Sequence, residues 1–390
     1  METNKLKNFC NLPFLELDID TQGYIRSCCI QNYEYHLGNL THNNLKNVWN
    51  SQKLKNLRQQ FIKDKKPEQC SQCWIEEDAG HISKRIHHLN YFKKLNIPID
   101  LNKNSAPVSL VLNMGSLCNL SCRMCSGKFS TTWQKELLDL NLASDESKKG
   151  WGLSKTSWGE NNEVWQVLEE WLPSLKLLSF VGGEPMLLKP MWSFLKKSVD
   201  GGYSKNQMIT RINTNCTVYN EEYIDILKQF KSCELHLSVD GIDKIWEYIR
   251  YPGKWEDVKK NIEQFFNHDF IILISITISI FNIFYLDKIY KYFNENFNCY
   301  NIDLNLVHYP KHLSIQSLPI DLKKIISDKL TNDNVDKVTK SNISSVLSFM
   351  NKQDTYQMYK DKQKESIKIH DNYRNQKFKD YFPEISKFFI

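Results

Sequence analysis

Six short apolar runs rich in β-branched residues recur along the chain, and the stretches between them carry apolar residues at helical spacing. The runs are VSLVLN (108–113), LKLLSFV (175–181), MITRIN (208–213), ELHLSV (234–239), IILISITIS (271–279) and IDLNLV (302–307). Their length and composition predict strands. Three intervening helices are readable: LLKPMWSFLKKSV with Pro190 near its start, NEEYIDILKQF opening on Asn220 as an N-cap, and WEDVKKNIEQFF. Strands alternating with helices imply an α/β fold with a parallel sheet and right-handed crossovers. Six such units suit a barrel or an incomplete one, a partial (β/α)6 barrel. No GxGxxG follows any run, which argues against a dinucleotide fold.

The pattern changes at both ends. Before the first run, NLPFLELDIDTQGYIRSCC reads as strand, turn and strand with the turn at TQG, followed by one helix, NNLKNVWNSQKLKNLRQQF, and the pair CSQCW. After the last run, stretches such as DLKKIISDKL read as helices. The expected organisation is a cysteine-rich domain over 1–95, an α/β core over 105–310 and a helical extension over 311–390.

Composition narrows the class. With 390 residues, 41% hydrophobic and 12% aromatic, the chain can bury a sizeable core. Its start, METNKLKNFCNLPF, has no apolar export segment, and the longest apolar run, FIILISITISIF (270–281), is well short of the ~20 residues that span a bilayer. Eleven cysteines without an export signal point to reduced thiols that bind metal, and to a cytoplasmic location. The net charge is +6, and residues 311–390 hold 15 Lys+Arg against 10 Asp+Glu. Both signs are interspersed there, as on a solvated helical face, and no basic block with interleaved aromatics marks a nucleic-acid site.

Candidate chemistry gathers where the predicted strands end, the place a parallel βα barrel puts its active-site groups. SLCNLSCRMCSG (116–127) follows the first run and GGEP (182–185) the second; NTN (213–215) closes the third and SVDG (238–241) the fourth. Asn282 follows the fifth, and His308 with Tyr309 the sixth. Each has a plain alternative: GG and DG are common turns, and Asn215 suits a loop leading to a helix. The cysteine triplet is more telling, because a closed metal site takes four protein ligands and three leave one position open. A zinc site completed from elsewhere, or cysteines that are merely buried, would also fit the triplet taken alone.

CNLSCRMC is the CxxxCxxC pattern of the radical S-adenosylmethionine (radical SAM) superfamily, and residues 105–310 resemble its partial (β/α)6 core, with the later motifs in the family's order. The resemblance implies that Cys118, Cys122 and Cys125 hold a [4Fe-4S] cluster whose remaining iron is chelated by SAM. It further implies that Gly182, Gly183 and Glu184 receive the SAM ammonium group. Thr214, Asn215 and Ser238 match polar positions facing its ribose or carboxylate, and Arg250 matches a partner of that carboxylate. The residue before the third cysteine is often aromatic in the family and packs on adenine; here it is Met124.

The N-terminal stretch resembles the SPASM/twitch auxiliary-cluster module of such enzymes in its LGNL, the helix containing Trp49 and the paired cysteines. It departs from that module by preceding the core and by lacking further cysteines. One auxiliary [4Fe-4S] cluster is implied, on Cys10, Cys28, Cys70 and Cys73. Adjacent strand residues face opposite ways, so one of Cys28 and Cys29 faces the cluster, and the family spacing favours Cys28. A zinc ribbon is the alternative for these four cysteines. Cys216, Cys233 and Cys299 read as small buried hydrophobes, and HISKRIHH (81–88) as a solvated linker helix. KKGWGLSKTSWGENNEVW (148–165) reads equally as a substrate loop or as a packed one.

The resemblance implies an enzyme that, given electrons from a reductant such as flavodoxin or ferredoxin, cleaves SAM to a 5'-deoxyadenosyl radical. That radical would take hydrogen from a substrate, a peptide or protein side chain by likeness to SPASM/twitch enzymes, with a sugar or nucleotide as the alternative. A non-catalytic iron-sulfur or zinc protein is the rival class; it would not require GGEP, NTN and SVDG in order.

Overall fold

The apolar runs become strands because every second residue finds a dry neighbour. In IILISITI, Ile274, Ile276 and Ile278 are fully buried while Ser275 and Thr277 on the opposite face are half-buried. The computed structural model of the chain describes residues 6–78, 82–99, 106–145, 148, 151, 158–331 and 337–389. It divides into two compact units built from non-contiguous segments.

The first unit comprises residues 1–117, 144–212 and 220–233. Its strands are β1 (Glu16–Ile19), β2 (Tyr24–Arg26), β3 (Gly38–Asn39), β4 (Ser109–Asn113), β5 (Leu177–Val181) and β6 (Met208–Thr214), whose last two residues belong to the second unit. They lie in the order β3-β2-β1-β4-β5-β6. β1 and β2 form the expected antiparallel hairpin, with Asp18 opposite Arg26 and Gly23 at φ +80° in the turn. The sequence pattern did not reveal that β1 also runs parallel to β4, with Glu16 beside Ser109. The cysteine-rich segment thus extends the core sheet. The single helix expected around Trp49 is two, Leu45–Trp49 and Gln52–Ile62, because the Ser51 hydroxyl accepts the Leu54 N–H and starts a new helix.

The second unit comprises residues 118–143, 213–219 and 234–390. Its strands β7 (Ser232–Ser238, entering from the first unit), β8 (Ile271–Ile278) and β9 (Ile302–Leu306) are parallel, with Leu237 beside Ile274 and Ile276 beside Leu304. The helices Asp243–Ile249, Trp255–Phe266 and Leu286–Phe297 bury Trp246, Ile249, Val258, Ile262, Ile289 and Phe293. The helices Ile320–Thr331, Lys337–Lys352 and Tyr356–Arg374 form the C-terminal region.

All six expected strands are present, as β4 to β9, and the readable helices form where expected. Lys189–Asp200 has a proline in its first turn, and Asn220 caps Glu221–Leu227 by accepting the Tyr223 N–H at 3.3 Å. The last strand, β9, pairs with β8 alone, so the sheet is open. The architecture is α/β, a partial (β/α)6 barrel with a cysteine-rich N-terminal part and a helical C-terminal region. No helix among the described residues is long and apolar enough to cross a membrane.

Two expectations about segments change. Of HISKRIHH, the last five residues lie in the helix Lys84–Lys94, Ser83 caps it and His81 is outside the described residues; the segment is more than a solvated linker. Its Arg85 is buried, donating to the Glu77 carboxylate and, from Nη1, to the Phe9 carbonyl at 2.7 Å. Most of the loop 148–157 lies outside the described residues, but Trp158 just beyond it is packed down. Its Nε1 donates to the carbonyls of Asp20 at 2.7 Å and Asn113 at 3.0 Å.

Candidate iron-sulfur and SAM site

In the second unit, the loop after Leu117 carries Cys118, Cys122 and Cys125, all half-buried. It is closed by the helix Thr131–Asp139: Thr131 and Thr132 donate hydroxyls to the Cys118 carbonyl at 3.0 and 2.7 Å. Trp133 Nε1 donates to the Cys122 carbonyl at 2.6 Å, and the Cys125 N–H reaches that same carbonyl at 2.8 Å. Two thiols meet polar hydrogens from elsewhere in the unit. Asn215 Nδ2 lies 3.8 Å from Cys118 Sγ, and Arg250 Nη1 lies 3.9 Å from Cys122 Sγ.

Those donors are themselves held. Asn215 also donates to Asn119 Oδ1 at 3.0 Å and accepts the Thr217 hydroxyl at 2.6 Å. Arg250 is buried and ion-paired with Asp240 at 2.6 Å, and Asp240 accepts the Thr277 N–H at 2.7 Å. Burial raises the Cys122 thiol, with the Arg250 charge acting against it; burial and the neighbouring Cys122 and Cys118 raise Cys125. Arg250 Nε is buried without a hydrogen-bond partner. Thr214 at the end of β6 accepts the Cys216 N–H at 3.1 Å, while Ser238 ends β7 and Met124 sits half-buried between Arg123 and Cys125.

The GGE motif belongs to the first unit and has a local reason for its glycines. Gly182 has φ +129°, and a Cβ on Gly183 would lie 2.2 Å from the Leu117 carbonyl oxygen. Gly183 N–H donates to Gly115 O at 3.0 Å and Glu184 N–H to Leu117 O at 2.7 Å, so the motif grips the backbone that leads into Cys118. Glu184 is buried, with one carboxylate oxygen accepting the Met186 N–H at 3.0 Å.

Also in the first unit, Cys10, Cys28, Cys70 and Cys73 line one pocket. Cys10 precedes the short helix Leu12–Leu15, Cys28 follows β2, Cys70 closes the 3-10 turn Glu68–Cys70, and Cys73 stands in the helix Ser71–Asp78. The Asn32 N–H to Gln69 carbonyl bond at 3.0 Å ties the Cys28 loop to the Cys70 turn. Arg85 holds Phe9 beside Cys10. Burial, with Cys73 nearby, pushes the Cys70 thiol up to about 12, and burial likewise raises Cys10 and Cys73. Cys29 is not in the lining; its thiol interacts with Cys28 and Lys84.

No group of three or more His, Cys, Asp or Glu among the described residues is gathered closely enough to hold a single metal ion. The N-terminal thiols instead surround a shared space, and thiolate donors suit iron-sulfur ligation. In the core loop, thiol donors with nearby hydrogen-bond donors, and the orphan Arg250 Nε, fit a cluster and a carboxylate-bearing cofactor. Cys216, Cys233 and Cys299 are buried, as expected.

The sequence reading missed Asn119 and Thr217, which hold Asn215, and treated Asp240 as a turn residue. It also missed the contribution of the C-terminal region, for which the arginine inside CRMC was the available signal. Glu16 and Asp18, both buried in β1, were read only as part of a hairpin.

The model of the radical SAM superfamily matches residues 112–292, and that of an iron-sulfur cluster-binding domain, SPASM, matches residues 10–74. The chain therefore contains a radical SAM domain preceded by a SPASM domain. These domains imply a [4Fe-4S] cluster with SAM and an auxiliary iron-sulfur cluster. No curated protein matches the sequence. Similar solved structures include native anSMEcpe with bound AdoMet, at 20% identity over 50% of this chain and 51% of that one, with a TM-score of 0.39. Another is Streptococcus suis SuiB bound to precursor peptide SuiA, at 17% identity over 75% and 54%, with a TM-score of 0.36. A third is TYW1 with a lysine-pyruvate adduct bound, at 16% over 55% and 70%, with a TM-score of 0.31. The chain spans about half the length of the first two.

Proposed function

We propose that this chain is an enzyme that reductively cleaves SAM and removes hydrogen from a peptide or protein side chain. The observation that carries the reading is the cysteine loop, whose Cys118 and Cys122 sulfurs each face an anchored nitrogen donor, Asn215 Nδ2 and Arg250 Nη1. Cys118, Cys122 and Cys125 would hold the core cluster. Gly182, Gly183 and Glu184 would take the SAM ammonium, Thr214, Asn215 and Ser238 its ribose or carboxylate, and Met124 its adenine. Arg250, held by Asp240, would offer its free Nε to the SAM carboxylate. When bound, the cluster and SAM supply the electron and the hydrogen-abstracting chemistry, and the protein positions them and excludes water.

Cys10, Cys28, Cys70 and Cys73 would hold an auxiliary cluster with every iron ligated by the protein, suited to electron transfer and structural support. The functional modules on this reading are 1–95, 105–310 and 311–390, with a flavodoxin- or ferredoxin-type reductant as partner. A peptide substrate is favoured by the SPASM domain, and SuiB carries a precursor peptide in its own structure. Anaerobic reconstitution followed by mass spectrometry of peptides from cells expressing the protein tests the substrate class. A modified peptide supports it, and a modified sugar or nucleotide replaces it.

A further inference from the structure

The helix Tyr356–Arg374 ends in two buried charged side chains that return to the cysteine loop, about 250 residues earlier in the chain. Arg123, directly after Cys122, donates from Nη2 to Asp371 Oδ1 at 2.5 Å and to Gln376 Oε1 at 2.9 Å. Its guanidinium lies 3.8 Å from the centre of the Tyr248 ring, and the Tyr248 hydroxyl donates to the same Asp371 oxygen at 2.8 Å. The other Asp371 oxygen accepts the Phe378 N–H at 2.7 Å.

Ser121, directly before Cys122, is held in the same way. Arg374 Nη2 donates to the Ser121 carbonyl at 2.7 Å and to Glu136 Oε2 at 2.9 Å, and its Nε also faces the Glu136 carboxylate. Glu136 accepts the Ser121 hydroxyl at 2.8 Å and lies 2.7 Å from His370 Nδ1. Cys122 is therefore bracketed by two residues that the C-terminal helix pins.

The segment just after this helix is anchored without those charges: Phe378 and Phe382 pack against Tyr248 and Phe281. The side chains of Arg123, Glu136 and Arg374 are 3%, 2% and 0% exposed, and buried ion pairs seldom add net stability over apolar packing. What they add is direction: the Arg374 fork fixes the Ser121 carbonyl before Cys122, and the Arg123 fork ties the side chain after it to Asp371. We infer that Asp371 and Arg374 are positioning residues for Cys122, so that the core cluster is held properly only when the C-terminal helix is docked. This rests on the proposed role of Cys122 as a cluster ligand.

The test uses full-length protein reconstituted with iron and sulfide, with Asp371→Asn, Arg374→Gln and Arg374→Lys as variants. The readouts are the EPR spectrum of the reduced protein with and without SAM, and iron loss to a chelator. SAM perturbs only the cluster it binds, so the difference spectrum reports the core cluster. Asp371→Asn and Arg374→Gln are expected to alter that spectrum and weaken the hold on core iron about 10- to 100-fold, leaving the auxiliary signal intact. Arg374→Lys should recover part of the loss, because an ammonium restores the charge but not the fork. Folded variants with wild-type spectra and iron retention overturn the inference. So does loss of both clusters together with the fold in all three, which assigns the helix a structural role only. A wild-type protein with no SAM-responsive signal removes the underlying reading, and the inference with it.

Discussion

Arg250 holds Asp240 and faces Cys122 at once: one guanidinium nitrogen is 2.6 Å from the Asp240 carboxylate and another is 3.9 Å from the Cys122 sulfur. A buried cation beside a thiolate stabilises the more negative cluster, so it should raise the core reduction potential. Arg250→Lys cannot keep both contacts. The expected result is a more negative core midpoint potential and SAM cleavage reduced about tenfold, with iron content unchanged. An EPR-monitored redox titration checks this, and an unmoved potential would remove the tuning role.

The second prediction concerns Gly183. Adding one methyl places it 2.2 Å from the Leu117 carbonyl, backbone that cannot step aside without dragging Cys118, the next residue. Gly183→Ala should destabilise the fold by about 1–3 kcal/mol, as overpacking does, and abolish SAM cleavage. Thermal unfolding and product assay measure the two effects; a variant as stable and active as wild type would show that the close approach is dispensable.

Cys28 and Cys29 give opposite expectations although they are neighbours in sequence. Cys28 lines the pocket with Cys10, Cys70 and Cys73, and Cys29 does not. Cys28→Ala should lose auxiliary iron, up to about four atoms per chain for a cubane, while Cys29→Ala keeps it. Iron and sulfide analysis of the two variants decides, and the reverse outcome would exchange their roles. A protein that binds zinc at these four cysteines and refuses iron would convert the module to a zinc ribbon.

A fourth prediction is a pH dependence of stability that originates in the sheet. Burial lifts the Glu16 carboxyl to about 7, with Asp18 adding to the shift, Lys84 opposing it and the Ser109 hydroxyl donating to Oε2 at 2.9 Å. The folded state then keeps a proton that the unfolded chain has released. Stability is highest below the unfolded value near 4.5 and falls as pH rises through about 7. Glu16 alone should cost about 1 kcal/mol between pH 6 and 8, and Glu16→Gln should flatten that part of the curve. Thermal midpoints at the two pH values measure it; an undiminished slope in the variant would exclude Glu16 as the source.

The strands and most helices were legible because β-branched runs and 3.6-residue spacing are local properties. Asn220 announced its helix because a cap acts within three residues. The pairing of β1 with β4 was not legible, since Glu16 and Ser109 are 93 positions apart and nothing in ELDI marks a parallel neighbour. Ser51 was a visible cap signal, yet the apolar period ran on through it. In the site, cysteine spacing marked the candidate ligands, but sequence could not show what orients them. Asn119 supports Asn215, and Arg374 supports Ser121, through hydrogen bonds that close only when distant segments fold together. A mixed-charge tail looked solvated because burial of Asp371 and Arg374 depends on partners that its own pattern does not contain.

The most direct test of the account is whether reduced, reconstituted protein converts SAM to 5'-deoxyadenosine. Wild type should do so under anaerobic conditions with dithionite or a flavodoxin system. The Cys118→Ala, Cys122→Ala, Cys125→Ala triple variant should not, while still holding the auxiliary cluster. Wild-type protein that carries both clusters yet leaves SAM intact, or a triple variant that cleaves it equally well, would contradict the central claim.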